Sequence, residues 1–345
     1  MIPIQNIYYM LSYAFQVLNE QGYKNIATEQ FNNTGELMAA ILEKGIAIQL
    51  KRGLGKEYIL QTEALSSLRG KIDIAESIKT QSMLRKQLIC TYDEFSVNSI
   101  MNRIIKSTVE ILLRSNISKQ RKKNLRKLMV YFSEVDFIDL YTVNWNVQYN
   151  RNNQTYHMLI SICYLVVKGL LQTQSNGHTE LMDFLDEQRM CRLYEKFILE
   201  YYRKEFKNQF TANASQIPWQ LDNEENSMLP VMQSDIMLQS GEKVLIIDAK
   251  YYEHSTQVQF DKHTLHSGNL YQIFTYVKNK EYELREKDHT VSGMLLYAKT
   301  DEEIYPNNVY QMSGNQITVR TLDLNLPFDE IAGQLNTIAK THFDL

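Results

Sequence analysis

Apolar residues recur at helical spacing near the start of the chain, at Ile7, Met10, Leu11, Ala14 and Leu18, and again at Leu37, Ala40, Ile41, Ile46 and Leu50. Steps of three and four put each set on one face, so two amphipathic helices are predicted to open the protein. Between 51 and 74 the texture changes to short runs broken by Gly53, Gly55 and Gly70, and Gly70-Lys71-Ile72-Asp73-Ile74 alternates. That pattern predicts β structure. A helix returns over 99–113, and residues 144–156, rich in Asn and Gln, read as a loop. The apolar run Met158 to Leu171 is interrupted by Ser161, Lys168 and Gly169. It is shorter than the roughly 20 residues a membrane span needs, so it reads as a buried helix. A domain boundary is placed beside that loop, giving residues 1–152 and residues 153–345.

The second half has a different rhythm. A helix over 189–206 carries the stripe Leu193, Phe197, Ile198 and Tyr201, with Glu195 off its centre. Ser234 to Leu238 and Val244 to Lys250 read as two strands joined by the turn signal Gln239-Ser240-Gly241-Glu242. The second strand is apolar enough for the middle of a sheet and ends in charge. A helix over 269–277 and a strand over 293–297 follow. Helix, strand, strand, helix, strand makes this an α/β domain, and the first half a mixed α+β domain.

Composition narrows the function classes. The 345 residues are 44% apolar and 22% charged, which excludes a largely disordered chain. Thirty-seven basic against 40 acidic side chains give a formal charge of −3, so any contact with nucleic acid must come from local patches. Cys90, Cys163 and Cys191 are odd in number and far apart, which fits buried thiols in a reducing interior. The start Met-Ile-Pro-Ile-Gln-Asn lacks a basic region leading into an apolar one, so the expected location is cytoplasmic, without a membrane anchor.

The chemistry concentrates in the hairpin. Residues i and i+2 of a strand face the same way, so Asp248 and Lys250 project together, and Asp235 on the neighbouring strand can aim at the same spot. Oxygen ligands of this kind suit Mg²⁺, which one or two carboxylates hold while water and phosphate oxygens fill its other positions. Such a site can hydrolyse a phosphodiester, with Lys250 offsetting developing charge and Glu195 adding a carboxylate from the preceding helix. The plain alternative is an ordinary charged strand end. Gln272 and Tyr276, at i and i+4 on one helix face, can hydrogen-bond backbone or nucleic acid near the metal; an ordinary half-buried helix is their alternative.

Ser234-Asp235, Asp248-Ala249-Lys250 and Gln272-x-x-x-Tyr276 together resemble the PD-(D/E)xK nuclease superfamily, including the Gln-x-x-x-Tyr element of its RecB-like members. Ser234 stands where that motif has proline. The resemblance implies a restriction-endonuclease-like mixed sheet flanked by helices, with Asp235 and Asp248 as metal ligands, Lys250 as catalytic lysine and Glu195 as the helix acid. The opening Ile2-Pro-Ile-Gln-Asn-Ile-Tyr-Tyr-Met-Leu-Ser-Tyr-Ala14 resembles the McrC family, nuclease subunits of McrBC modification-dependent restriction systems. Leu68-Arg-Gly-Lys-Ile72, Asn102-Arg-Ile-Ile-Lys-Ser-Thr108, Leu193-Tyr-Glu-Lys-Phe197 and Ile247-Asp-Ala-Lys-Tyr-Tyr252 continue the likeness in family order. It implies a partner of the McrB type, an AAA+ ring that hydrolyses GTP and recognises methylated cytosine in double-stranded DNA. The N-terminal domain would insert into that ring and stimulate its GTPase.

Other features fit that division. No Gly-x-x-x-x-Gly-Lys-Ser/Thr loop occurs, and Gly53-Leu-Gly-Lys56 has the wrong spacing, so GTP is expected on the partner. Arg52, Lys56, Arg69 and Lys71 are candidates for a ring-facing tip. The basic run Lys119 to Lys127 reads as a solvated helix face or a phosphate-tracking one. His254, His263 and His266 lack the Cys pair of a zinc site. Tyr251 and Tyr252 read equally as DNA contacts or core packing. The competing functions are a GTPase-activating adaptor without catalysis, and a nuclease of the same superfamily working alone or with another motor.

Overall fold

The structure is a computed structural model and describes residues 2–20, 23, 26, 29–149, 154–171, 187–223, 228–252, 257–259, 262–299 and 305–345. The chain forms two compact units, one of Met1–Glu20 with Leu185–Leu345 and the other of Gln21–Phe184. The sequence boundary at 152/153 therefore coincides with neither edge. Helix α1 (Ile4–Ala14) packs in the unit that contains the C-terminal half: Asn6 donates to the carbonyl oxygens of Leu324 and Leu326, both at 2.8 Å, and Tyr9 stacks on Phe328.

In the middle unit, α2 (Thr34–Arg52) starts where the Asn33 side chain accepts from the Glu36 N–H and stops at Gly53, whose φ of 89° a side chain would resist. The β segment follows as β1 (Glu57–Leu65), β2 (Lys71–Asp73), the short helix α3 (Ile74–Lys79) and β3 (Leu88–Ser96). The three strands form an antiparallel sheet in the order β1-β3-β2. Next come α4 (Ile100–Arg114), capped by Ser99, and α5 (Lys119–Met129), capped by Ser118. Helix α6 (Gln154–Leu171) is the apolar helix, and it packs on α2 and α4. That packing moves it out of the predicted C-terminal domain. Asn102 and Tyr156 tie these helices to the base of the sheet: Asn102 donates to the Gly55 and Val97 carbonyls and accepts from the Tyr156 hydroxyl, which in turn accepts from Gly55 N. A buried network satisfied this fully fixes one arrangement.

The other unit is built on α7 (Glu187–Glu205), β4 (Thr211–Asn213), β5 (Gln216–Ile217), β6 (Met232–Gln233), β7 (Ile236–Ser240) and β8 (Lys243–Lys250). After them come β9 (Gln257–Gln259), β10 (Lys262–Thr264), α8 (Ser267–Glu283), β11 (Thr290–Ala298), β12 (Asn308–Met312), β13 (Asn315–Leu322) and α9 (Phe328–Phe343). Among the described residues the main sheet runs β12-β13-β11-β8-β7-β4. β8, β11 and β13 are mutually parallel, while β7, β4 and β12 run antiparallel to their neighbours. The sheet is mixed and flanked by helices, as predicted for this half. β8 is buried along Val244–Ala249, which is why its sequence is apolar without alternation. Gly293 of β11 lies under α8: a Cβ there would come within 2.8 Å of both Ile273 Cγ1 and Val277 Cγ2. Only glycine lets α8 approach this closely.

Candidate active site

The antiparallel register joins Ile236 to Ile247, so one further step sets Asp235 opposite Asp248 at the open end of the β7–β8 pair. Ser234 holds that end. Its N–H and its hydroxyl both donate to the Ser215 carbonyl, at 3.0 and 3.1 Å, and its hydroxyl accepts from Ser215 N–H at 3.3 Å. Proline could offer neither donor, so the serine at this position has a local structural role.

Asp235 Oδ2 accepts from the Ala249 N–H at 2.9 Å, which orients it across the strand pair. Asp248 is 1% exposed, and Lys250 Nζ lies 2.8 Å from its Oδ2. Apart from that ionic contact, neither carboxylate oxygen of Asp248 has a hydrogen-bond partner. Burial pushes its pKa up to about 7, the Asp235 charge adds to the rise, and Lys250 opposes it. Lys250 is held above the ordinary lysine range: Asp248 and Asp235 outweigh the burial that would lower it.

Glu195 comes from α7. Burial and the Asp235 charge raise its pKa, while the Cys191 thiol, donating to Oε1 at 3.1 Å, and Lys250 lower it. On α8, Gln272 Oε1 accepts from Lys250 at 3.4 Å and Gln272 Nε2 donates to the Tyr276 hydroxyl at 2.9 Å. The structure thus links Asp248, Lys250, Gln272 and Tyr276 by direct contacts and sets Asp235 opposite Asp248, while Glu195 is joined to them only through the charges of Asp235 and Lys250. Among the described residues no group of three or more His, Cys, Asp or Glu side chains is placed to hold a metal ion. A cation here would rest on two carboxylates, which is the Mg²⁺ habit.

Sequence reasoning missed the support behind this cluster. Buried Asn269 donates to the Tyr297 hydroxyl at 3.0 Å and accepts from Tyr252 at 3.3 Å. Tyr252 therefore packs beside the sheet core. Tyr297 is the β11 register partner of Lys250, so the network braces the strand end that carries the lysine. Asn269 lies three residues before Gln272 on the same helix, a spacing that could have flagged it. Cys191, four residues before Glu195, carried the same kind of signal.

The remaining candidates lie elsewhere. In the middle unit, Lys56 stands over Phe95 at 5.7 Å and Arg69 over Tyr92 at 4.1 Å, while Lys71 lies on β2. Arg52 is apart from them at the end of α2, donating to Thr155 at 3.2 Å. Beside the basic residues the sheet exposes Tyr58, Leu60 and Phe95, with Ile74, Ile78 and Leu84 exposed nearby in the chain, an apolar display that charge-based reading passed over. In the basic run, Arg121 reaches Glu29, Glu36 and Glu43, so this residue anchors α5 and does not track phosphate. His254 and the side chain of His263 lie outside the described residues; His266 sits against the Tyr252 ring. No helix among the described residues is long and apolar enough to cross a membrane.

The model of the McrBC 5-methylcytosine restriction system component family matches residues 5–298. A relative from Escherichia coli (strain K12), the type IV methyl-directed restriction enzyme EcoKMcrBC, is 30% identical over 329 residues, covering 94% of this chain and 93% of the relative. Two solved structures are similar: the half-complex of Thermococcus gammatolerans McrB AAA+ hexamers with bound McrC (18% identity, TM-score 0.47, 97% of this chain and 76% of that one), and the cryo-EM structure of the Thermococcus gammatolerans McrBC complex (20% identity, TM-score 0.42, 59% of each chain). With the family model spanning most of its length and the bacterial relative matched nearly end to end, the chain belongs to the McrBC 5-methylcytosine restriction system component family.

Proposed function

We propose that the chain is the endonuclease subunit of a restriction system, with a PD-(D/E)xK centre that cleaves DNA carrying methylated cytosine. In this reading it acts when assembled with a GTP-hydrolysing AAA+ partner of the McrB type, whose GTPase it stimulates and which alone binds GTP. The observation that carries the reading is the carboxylate of Asp248. It is buried, has no donor apart from the Lys250 ammonium, and lies opposite a second carboxylate. An anion in that state calls for a cation beyond one lysine, and the donor set, two aspartates, fits Mg²⁺. Mg²⁺ held by Asp235 and Asp248 would polarise the scissile phosphate and lower the pKa of a bound water.

The chain's own groups supply the rest. Lys250 offers an ammonium for the charge that develops on the phosphate oxygens, where a preorganised cation in a water-poor site is worth most. Gln272 holds that ammonium from α8, and Tyr276 holds Gln272 in turn. Glu195 is a carboxyl whose hold on a proton is raised by burial and by the Asp235 charge, the direction that suits general acid–base work at the cluster's edge. The family membership and the methyl-directed relative support the substrate and the partner. For the docking role we look to the sheet of the middle unit, where Lys56, Arg69 and Lys71 accompany the exposed apolar residues Tyr58, Leu60 and Phe95.

The test is cleavage of cytosine-methylated and unmethylated plasmid in Mg²⁺ by the chain with its GTPase partner and GTP. Methylation- and GTP-dependent cutting that Asp248→Ala abolishes is expected. Cutting that survives Asp248→Ala refutes the centre, and GTPase stimulation without any cutting would favour the adaptor.

A further inference from the structure

A cavity of about 220 Å³ opens between the end of β13 and α9, lined by Tyr305, Asn307, Arg320, Thr321, Gln334 and Thr337. It is smaller than the roughly 300–1,000 Å³ of drug-sized ligand sites and several times the ~30 Å³ share of one water, so its size suits a small polar group. Arg320 is the charged side chain among its described lining residues. Among the described residues no carboxylate pairs with Arg320, and its Nε is buried without a hydrogen-bond partner. The nearest acid in sequence among the described residues, Asp323, is held by Lys299 at 2.7 Å. A guanidinium with no carboxylate partner among the described residues, facing amide and hydroxyl groups, is built for an oxyanion, and its planar fork matches phosphate.

The strand register places the pocket relative to the cluster. Ala249 of β8 aligns with Leu296 of β11, and Leu296 with Arg320 of β13; on the next rung Lys250 aligns with Tyr297 and Thr321. Two strand spacings of about 4.8 Å put the Arg320 backbone ~10 Å from that of Ala249, at the same end of the parallel strands.

We propose that this pocket binds a phosphate group, and that its ligand is a backbone phosphate of the DNA engaged at Asp248 and Lys250. The second half rests on the nuclease reading; phosphate binding itself does not. Arg320, which shares the sheet face of Ala249 and not that of Asp248 and Lys250, then acts as a second anchor that holds the strand from the other face at the sheet edge.

The experiment uses the full chain, with Arg320→Met and, because a change within β13 can disturb the sheet, the exposed Asn307→Asp, which brings a carboxylate to the mouth. Inorganic phosphate binding is measured by calorimetry in EDTA, and methylated duplex binding, with the GTPase partner present, as a function of salt. Both variants should weaken phosphate binding at least tenfold, and Arg320→Met should reduce the slope of log affinity against log salt by about one. Phosphate binding unchanged in both variants overturns the pocket. Phosphate binding lost with the DNA slope unchanged overturns the DNA assignment and leaves a site for free phosphate. Asp248→Ala separates the readings: plasmid cutting that survives it sinks the nuclease centre without touching the phosphate measurement.

Discussion

Lys250 Nζ stands 2.8 Å from Asp248 Oδ2, with the two side chains 12% and 1% exposed. The lysine is the cation in contact with a carboxylate that otherwise has no donor. Removing one partner of a buried pair costs about 3–5 kcal/mol because the other is left uncompensated. Lys250→Met is therefore expected to lower stability by about 3 kcal/mol at pH 8 without divalent metal, and by much less at pH 6, where Asp248 can take up a proton. Urea unfolding in EDTA at the two pH values checks this. An equal loss at both would show that the lysine does not compensate that carboxylate.

The same carboxylate sets a pH dependence. Burial raises Asp248 to about 7, above its ordinary 3.8, so between those values the folded protein holds a proton that the unfolded chain has released. Its contribution to stability is full below about pH 4 and is lost as pH rises through about 7, by at most ~1.4 kcal/mol per pH unit. Asp248→Asn should flatten the fall of Tm between pH 5 and 7.5 in EDTA. In the unaltered protein Mg²⁺ should raise Tm more at pH 8 than at pH 6, since the metal needs the deprotonated ligand. A variant whose Tm follows the same pH curve as the parent would count against the raised carboxyl.

Gly293 makes the position of α8 testable. Its Cβ space is taken by Ile273 and Val277 at 2.8 Å and by Ile317 at 2.9 Å, so Gly293→Ala overpacks the core for a cost of about 1–3 kcal/mol. Ile273 follows Gln272 directly, so a displaced helix also loosens the Gln272 contact to Lys250. The expected result is a lower Tm with a larger loss in cutting rate, both partly restored by Val277→Ala in the same chain. If Val277→Ala adds its own destabilisation and restores nothing, the helix is not held at that distance by the glycine.

What the sequence makes legible follows from what is local. Val244 to Ala249 is apolar without alternation and ends at Lys250, and that alone marks a central strand with charge at its mouth. Asp235 could be placed because a hairpin fixes its partner. Asn6 could not: its hydrogen bonds to Leu324 and Leu326 span more than 300 residues, and no periodicity encodes a pairing across that distance. Helix α6 is apolar on most of its surface, so its sequence says that it is buried and not by which unit. Tyr58 and Leu60 alternate as core residues would, and only the structure shows that their face is open.

Cys191 reports on Glu195. Burial, and then the hydrogen bond to Glu195 and its charge, push the thiol up to about 12. Reaction with iodoacetamide needs the thiolate, so at pH 8 alkylation of Cys191 should be slow. Glu195→Gln removes the negative acceptor, and each unit by which the thiol pKa falls raises the thiolate fraction about tenfold at a pH below it. A rate increase of several-fold at Cys191, followed by mass spectrometry of that peptide, is the expected result. Cys90 and Cys163, both fully buried, serve as internal references that should not change. A rate at Cys191 that is indifferent to Glu195→Gln would mean that the carboxylate points away from the thiol, and with it away from the orientation in which it senses Asp235 and Lys250.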